Sequence, residues 1–183
     1  AQPNNTGLQM NIDSQEITGD AEWQSESSEH TSGKIIAHLK NLIILESAEN
    51  KTEIKNAELA KKDIRKLSNG YPALDVTAYN CQLGTKKLGS LALIAFENND
   101  DWVIQKLKIT NPESTLSADG NWHNWTRNPN TNLNFALNIN NIGRTLKRFG
   151  QPDAVKGGEA EITGQLSWAG SPHEFETTGL NGQ

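Results

Sequence analysis

A chain of 183 residues with 17 Lys and Arg against 22 Asp and Glu, formal net charge -5, has no cationic surplus to neutralise phosphates, so nucleic acid is not an expected partner. No apolar run approaches the ~18 residues of a membrane-spanning helix, and no charged-then-apolar leader opens the sequence. The single cysteine, Cys81, allows no internal disulfide and no CxxC metal pair, and is expected to be a small half-buried strand residue.

In chain order, Leu8, Met10 and Ile12 alternate with polar residues, Asp13 to Gln15 can turn, and Ile17, Gly19, Ala21 and Trp23 alternate again, which predicts a hairpin. Gln24 to Ser32 is polar enough for a loop. Ile35, Ala37 and Leu39 begin a third strand, whose phase blurs over Asn41 to Leu45, as a bulge or two-sided burial would make it. Residues 46–70 change character: Ile54, Ala57, Ala60, Ile64 and Leu67 recur at helical intervals before Asn69-Gly70, on a thin apolar stripe that fits a helix or partial disorder equally. Strands resume with Leu74, Val76 and Ala78, and Leu88 to Phe96 includes Leu91 and Leu93 in a nearly continuous apolar run. Glu97 to Asp101 is a hairpin turn; Trp102 and Ile104 then share one phase and Leu107 and Ile109 the other, so a one-residue bulge is expected near Gln105.

Leu116, Ala118, Gly120 and Trp122 repeat the pattern of Ile17 to Trp23, and Ile162, Gly164, Leu166 and Trp168 repeat it once more. Between these copies, Leu133, Phe135, Leu137 and Ile139 alternate most cleanly, and Asn140 or Asn141 can cap a short helix from Ile142 to Phe149 before Gly150. Pro172 and Phe175 are expected to start a last strand. The chain is therefore predicted to be mainly β, about ten hairpin-connected antiparallel strands with one short helix and a longer helical or disordered element at 46–70.

A sheet with one apolar face must cover it. A second sheet, giving a closed sandwich or barrel, is the ordinary solution; an open trough holding an apolar ligand is the other. Small inward residues (Gly19, Ala21, Ala37, Ala78, Ala95, Ala118, Gly120, Gly164) under-fill a sandwich core but leave room for a guest, and Trp at strand ends suits a rim between apolar interior and water.

Other chemistry is poorly represented. His30, His38, His123 and His173 are scattered without metal-ligand spacing, Asp100-Asp101 is better explained as a solvated turn than as a cation site, and Gly157-Gly158 precedes a strand rather than a helix. The three sequons, beginning at Asn4, Asn50 and Asn124, are expected by chance in an Asn-rich chain. No nucleophile elbow is present and no carboxylate pair can be assigned to one cleft, so neither an enzyme nor a cofactor is expected. The basic helix, with Arg144, Lys147 and Arg148, could meet an anionic headgroup, but is expected instead to plug or cap the sheet through Ile142, Leu146 and Phe149.

The segments Tyr71 to Leu93, Asp101 to Trp122 and Leu133 to Phe175 resemble the C-terminal region of the YhdP branch of the AsmA-like proteins. Five phrases in order carry the resemblance: Pro72 to Val76, Leu88 to Leu93, Gly120 to Trp122, Ile142 to Gly150 and Gly157 to Pro172. Glu159-Ala160 departs from it where a Gly often stands, as does the Lys-rich insertion at 46–70. The resemblance implies a periplasmic segment of a large Gram-negative envelope protein, anchored in the inner membrane and reaching toward the outer one. In such proteins a long sheet folds into a taco-like open groove for phospholipid.

On this reading residues 1–183 are one groove segment of a longer protein, both ends looking cut. Its lining would be Leu8, Met10, Ile12, Ile17, Ala21, Leu74, Val76, Leu91, Leu93, Leu116, Ala118, Leu133, Phe135, Leu137, Ile139, Ile162 and Leu166, with Trp23, Trp122 and Trp168 at the rim. Expected partners are phospholipid or another acyl-chain ligand, the two membranes through the rest of the protein, and other copies through unpaired strand edges. The alternative is a closed β-sandwich serving as scaffold or interaction module of the envelope.

Overall fold

The computed structural model describes residues 7–28, 30–45, 71–98, 101–123, 129–151 and 155–172. They form one nine-stranded sheet in sequence order. Its strands are β1 (Leu8–Asp13), β2 (Ile17–Gln24), β3 (Lys34–Ile44), β4 (Ala73–Leu83), β5 (Lys86–Asn98), β6 (Asp101–Asn111), β7 (Ser114–His123), β8 (Asn130–Ile139) and β9 (Ala160–Ala169). Among the described residues a single short helix, α1 (Ile142–Arg148), joins β8 to β9. Of the two candidate caps, Asn140 and Asn141, it is Asn141 whose side chain accepts a hydrogen bond from the Arg144 N–H at 2.9 Å, satisfying one of the free donors of the first turn.

Every pairing but one is antiparallel; β3 and β4 run parallel. The expectation of wholly antiparallel pairing is corrected at that place, and the cause lies in the connection. Two-residue turns can only reverse a strand, whereas residues 45–72 are long enough to carry the chain back to the end at which β3 began. The expected helix or disorder at 46–70 and the expected strand at Phe175 lie outside the described residues.

Both expected irregularities are found. In β6, Ile104 pairs with Ala95 and Lys106 with Ile94, so Gln105 is the extra residue that restores Leu107 and Ile109 to the face of Trp102 and Ile104. In β3, Leu39 pairs with Gly19 and the next partners are Asn41 and Thr18. The offset puts Leu42 back on the inner face opposite Ile17 and Cys81, which is why alternation blurs there.

The sheet is not closed: β1 and β9 are its two edges, and each strand packs against its sequence neighbours. Among the described residues no second sheet covers it, which corrects the sandwich and barrel alternative. No helix among them is long and apolar enough to cross a membrane. Polar side chains link strands across the opposite face: Asn11 donates to Asp20 at 2.9 Å, Asn80 to Asn41 at 3.1 Å, Asn134 to Asp119 at 3.2 Å, and Gln165 to Asn134 at 2.8 Å.

Candidate functional site

Strand register converts the alternation into continuous rows. One row crosses the whole sheet as Leu8, Trp23, Ile35, Leu74, Ala95, Ile104, Gly120, Leu133 and Leu166. The second is Met10, Ala21, Ala37, Val76, Leu93, Leu107, Ala118, Phe135 and Gly164. The third is Ile12, Gly19, Leu39, Ala78, Leu91, Ile109, Leu116, Leu137 and Ile162. No polar side chain interrupts any of the three. With strands ~4.8 Å apart each row is ~38 Å long, and the three together span ~14 Å along the strands.

Every residue predicted to line the groove lies on this face. Fifteen of the seventeen fall in the three rows; Ile17 and Ile139 lie one step beyond, with Leu42 and Cys81 at one and Ser114 and Ala160 at the other. Sequence reading did not include Ile35, Leu39, Ile104, Leu107 or Ile109, although their phase marked them once the bulges were placed. The best-buried patch is central to β2–β5, where Ala21, Ala37, Leu39, Ala78, Cys81 and Leu91 cluster. Cys81, expected to be half-buried, is fully buried, and burial pushes its thiol pKa up. The face becomes wetter toward the edges: Leu8 is 60% exposed and Ile162 46%.

Gly164 and Gly120 do not leave empty space. A Cβ placed on Gly164 would lie 3.0 Å from Cε1 of Phe135, and one on Gly120 would lie 2.9 Å from Cδ2 of Leu133. At both positions the adjacent strand takes the room beside the glycine, by the Phe135 ring at Gly164 and by Leu133 and the Asn132 carbonyl at Gly120, so the expectation that these glycines admit a guest is corrected.

The four described tryptophans collect at one end of the strands. Trp102, Trp122, Thr131 and Trp168 are aligned by pairing, with Trp23 one step inward. Trp102 was missed as a member, although its phase and its place opposite Trp122 announce it. This end is packed rather than wet: Trp122 and Trp168 are buried, Tyr71 lies against Trp122 with ring centroids 4.9 Å apart, and the Trp168 indole donates to the Ser171 carbonyl at 2.9 Å. At the other end of the strands, α1 is tied to the β6–β7 turn. Arg148 forms an ion pair with Glu113, its Nε donating at 2.8 Å, and the Asn140 side chain donates to the Pro112 carbonyl at 3.1 Å. Thr145 is the buried residue of the helix, whereas Phe149 is exposed, so the expected plug through Phe149 is not seen.

Among the described residues no group of His, Cys, Asp and Glu could hold a metal ion. Asp101, half of the Asp pair weighed above, instead faces His123 and accepts from Asn121 at 3.2 Å.

The family model described as YhdP protein matches residues 1–183. The chain belongs to the YhdP family. It is thus a region of a YhdP-type AsmA-like protein, and membership suggests a lipid-transport-related protein of the envelope. No curated protein and no solved structure is significantly similar to this YhdP-family chain.

Proposed function

We propose that this YhdP-family sheet is one section of a periplasmic groove, inner-membrane-anchored through the rest of the protein, that shields phospholipid acyl chains between the inner and outer membranes. The observation that carries the proposal is the set of three uninterrupted apolar rows across nine strands with no covering layer among the described residues. Side chains of the face bury one another around Leu39, Ala78 and Leu91, but among the described residues no layer covers the remainder, and hydrocarbon is the ligand whose burial that remainder favours, at ~0.8 kcal/mol per methylene. One leaflet of hydrocarbon is about 15 Å thick, half of a ~30 Å bilayer core. Rows of ~38 Å thus extend well past a single acyl chain, as passage from site to site requires and a closed pocket does not.

The test is photocrosslinking in cells from single positions on the two faces of β8. A crosslinker at Leu137 should capture phospholipid, and one at Asn138, on the polar face, should not. Equal capture from both, or none from Leu137 with the protein folded and exported, overturns the reading.

A further inference from the structure

One step outward from the first apolar row, ~7 Å along the strands, pairing aligns Glu97, Trp102, Trp122, Thr131 and Trp168 on the same face. Two of the donors in this row are satisfied inside the chain. The Trp168 indole donates to the Ser171 carbonyl and the Thr131 hydroxyl to the Gly170 carbonyl, each at 2.9 Å. Trp102 and Trp122 differ: their Nε1 atoms are shut off from solvent, and among the described residues neither has a hydrogen-bond partner. A buried donor in that state has lost water and gained no acceptor, and two of them on directly paired residues are unusual in a folded protein. Both lie within the body of the sheet, with β5 beyond β6 and β8 beyond β7.

The surroundings identify the missing acceptor. Trp102 and Trp122 stand where the apolar rows stop, so an acceptor that reaches them is joined to whatever those rows hold. Paired positions set Cβ atoms ~5 Å apart, so two neighbouring oxygens of one ligand can meet both indoles. The charged member of the row is an anion, Glu97, directly opposite Trp102, with its Oε2 accepting from the Ser32 hydroxyl at 3.2 Å. A carboxylate there repels phosphate and leaves a neutral carbonyl unaffected. The ester carbonyls that join acyl chains to glycerol are neutral, paired, and attached to the hydrocarbon.

We propose that Trp102 and Trp122 bind the ester carbonyl oxygens of a diacyl glycerolipid, their indole N–H groups donating, with the acyl chains on the apolar rows. This rests on the groove reading above and adds to it a site that holds the lipid by its ester linkage rather than by its phosphate. Tyr71, whose ring lies against Trp122, turns aside to admit the carbonyl, a side-chain rotation that is fast on the scale of lipid movement.

The test alters the ligand before the protein. The full chain is titrated with a diacyl phosphatidylethanolamine and its dialkyl ether, matched in chain length and headgroup but lacking carbonyls, and with diacylglycerol and its diether, which lack phosphate, all carried in the same neutral detergent. The ester should bind about tenfold tighter in each pair. In the isotope-labelled protein the indole N–H resonances of Trp102 and Trp122 should move downfield with the ester and not with the ether, while that of Trp168, already bonded to Ser171, should stay. Trp102→Phe and Trp122→Phe should each narrow the ester preference; if either fails to fold, the resonances of the unaltered protein decide. Equal binding of ester and ether in either pair, unmoved resonances with ester lipid bound, or an undiminished preference in both folded variants overturns this proposal and leaves the groove reading standing. Binding of none of the four lipids overturns both.

Discussion

Phe135 offers the sharpest test of which face is functional, because its sequence neighbour Ala136 sits at the same depth of the same strand on the other side. Phe135 lies between Ala118 and Gly164, and Ala136 between Ser117 and Thr163. Phe135→Asp places a carboxylate in the middle apolar row. A hydrated carboxylate keeps roughly four methylenes of a bound chain from the surface, and at ~0.8 kcal/mol each this loses ~3 kcal/mol, about a hundredfold in affinity. Stability should fall too, since a buried Phe→Ala change costs about 3–5 kcal/mol and a half-buried ring about half of that. Ala136→Asp should leave lipid binding unchanged. Native mass spectrometry of the purified variants reads lipid occupancy, and thermal unfolding checks that each is folded. Undiminished occupancy in folded Phe135→Asp, or equal loss in Ala136→Asp, would refute the assignment of faces.

Two further outcomes follow from packing and burial. Gly120→Ala would put a Cβ 2.0 Å from the Asn132 carbonyl oxygen, forcing β7 and β8 apart, so a loss of about 1–3 kcal/mol is expected in denaturant unfolding, from a methyl group alone. For Cys81, the raised thiol pKa means that the folded state holds its proton more tightly than the unfolded one. Its contribution to stability is fully present below the ordinary thiol pKa and is lost as pH rises above it; thiol-reagent labelling at pH 8 should be slow in the native protein and fast in denaturant.

Much of this arrangement was legible from period two alone. The phase reversal between Ile104 and Leu107 located the extra residue at Gln105, and Asn141 followed by Ile142 and Leu146 located a capped helix, because both signals depend on nearest neighbours in the chain. The parallel pairing of β3 with β4 was not legible: strand direction is set by where residues 45–72 travel, and local alternation contains no information about that. The filling of Gly164 by Phe135 was hidden for a related reason. It depends on which residue of β8 stands opposite Gly164, and thus on register. The bland reading of Asp101 as a turn residue likewise overlooked His123, its partner across the β6–β7 hairpin.

Because each described strand packs chiefly on the strands beside it in sequence, the sheet is a one-dimensional stack, and its cooperativity is that of a chain of linked hairpins. Nearly every contact closes a short loop, which favours rapid zipping from any hairpin outward. The exception is the β3–β4 seam, where residues 45–72 must be looped before a single ladder bond forms. That seam divides the stack into a three-strand and a six-strand block, each able to assemble at its own rate. Their docking is then the step in which the two halves of the apolar surface become one.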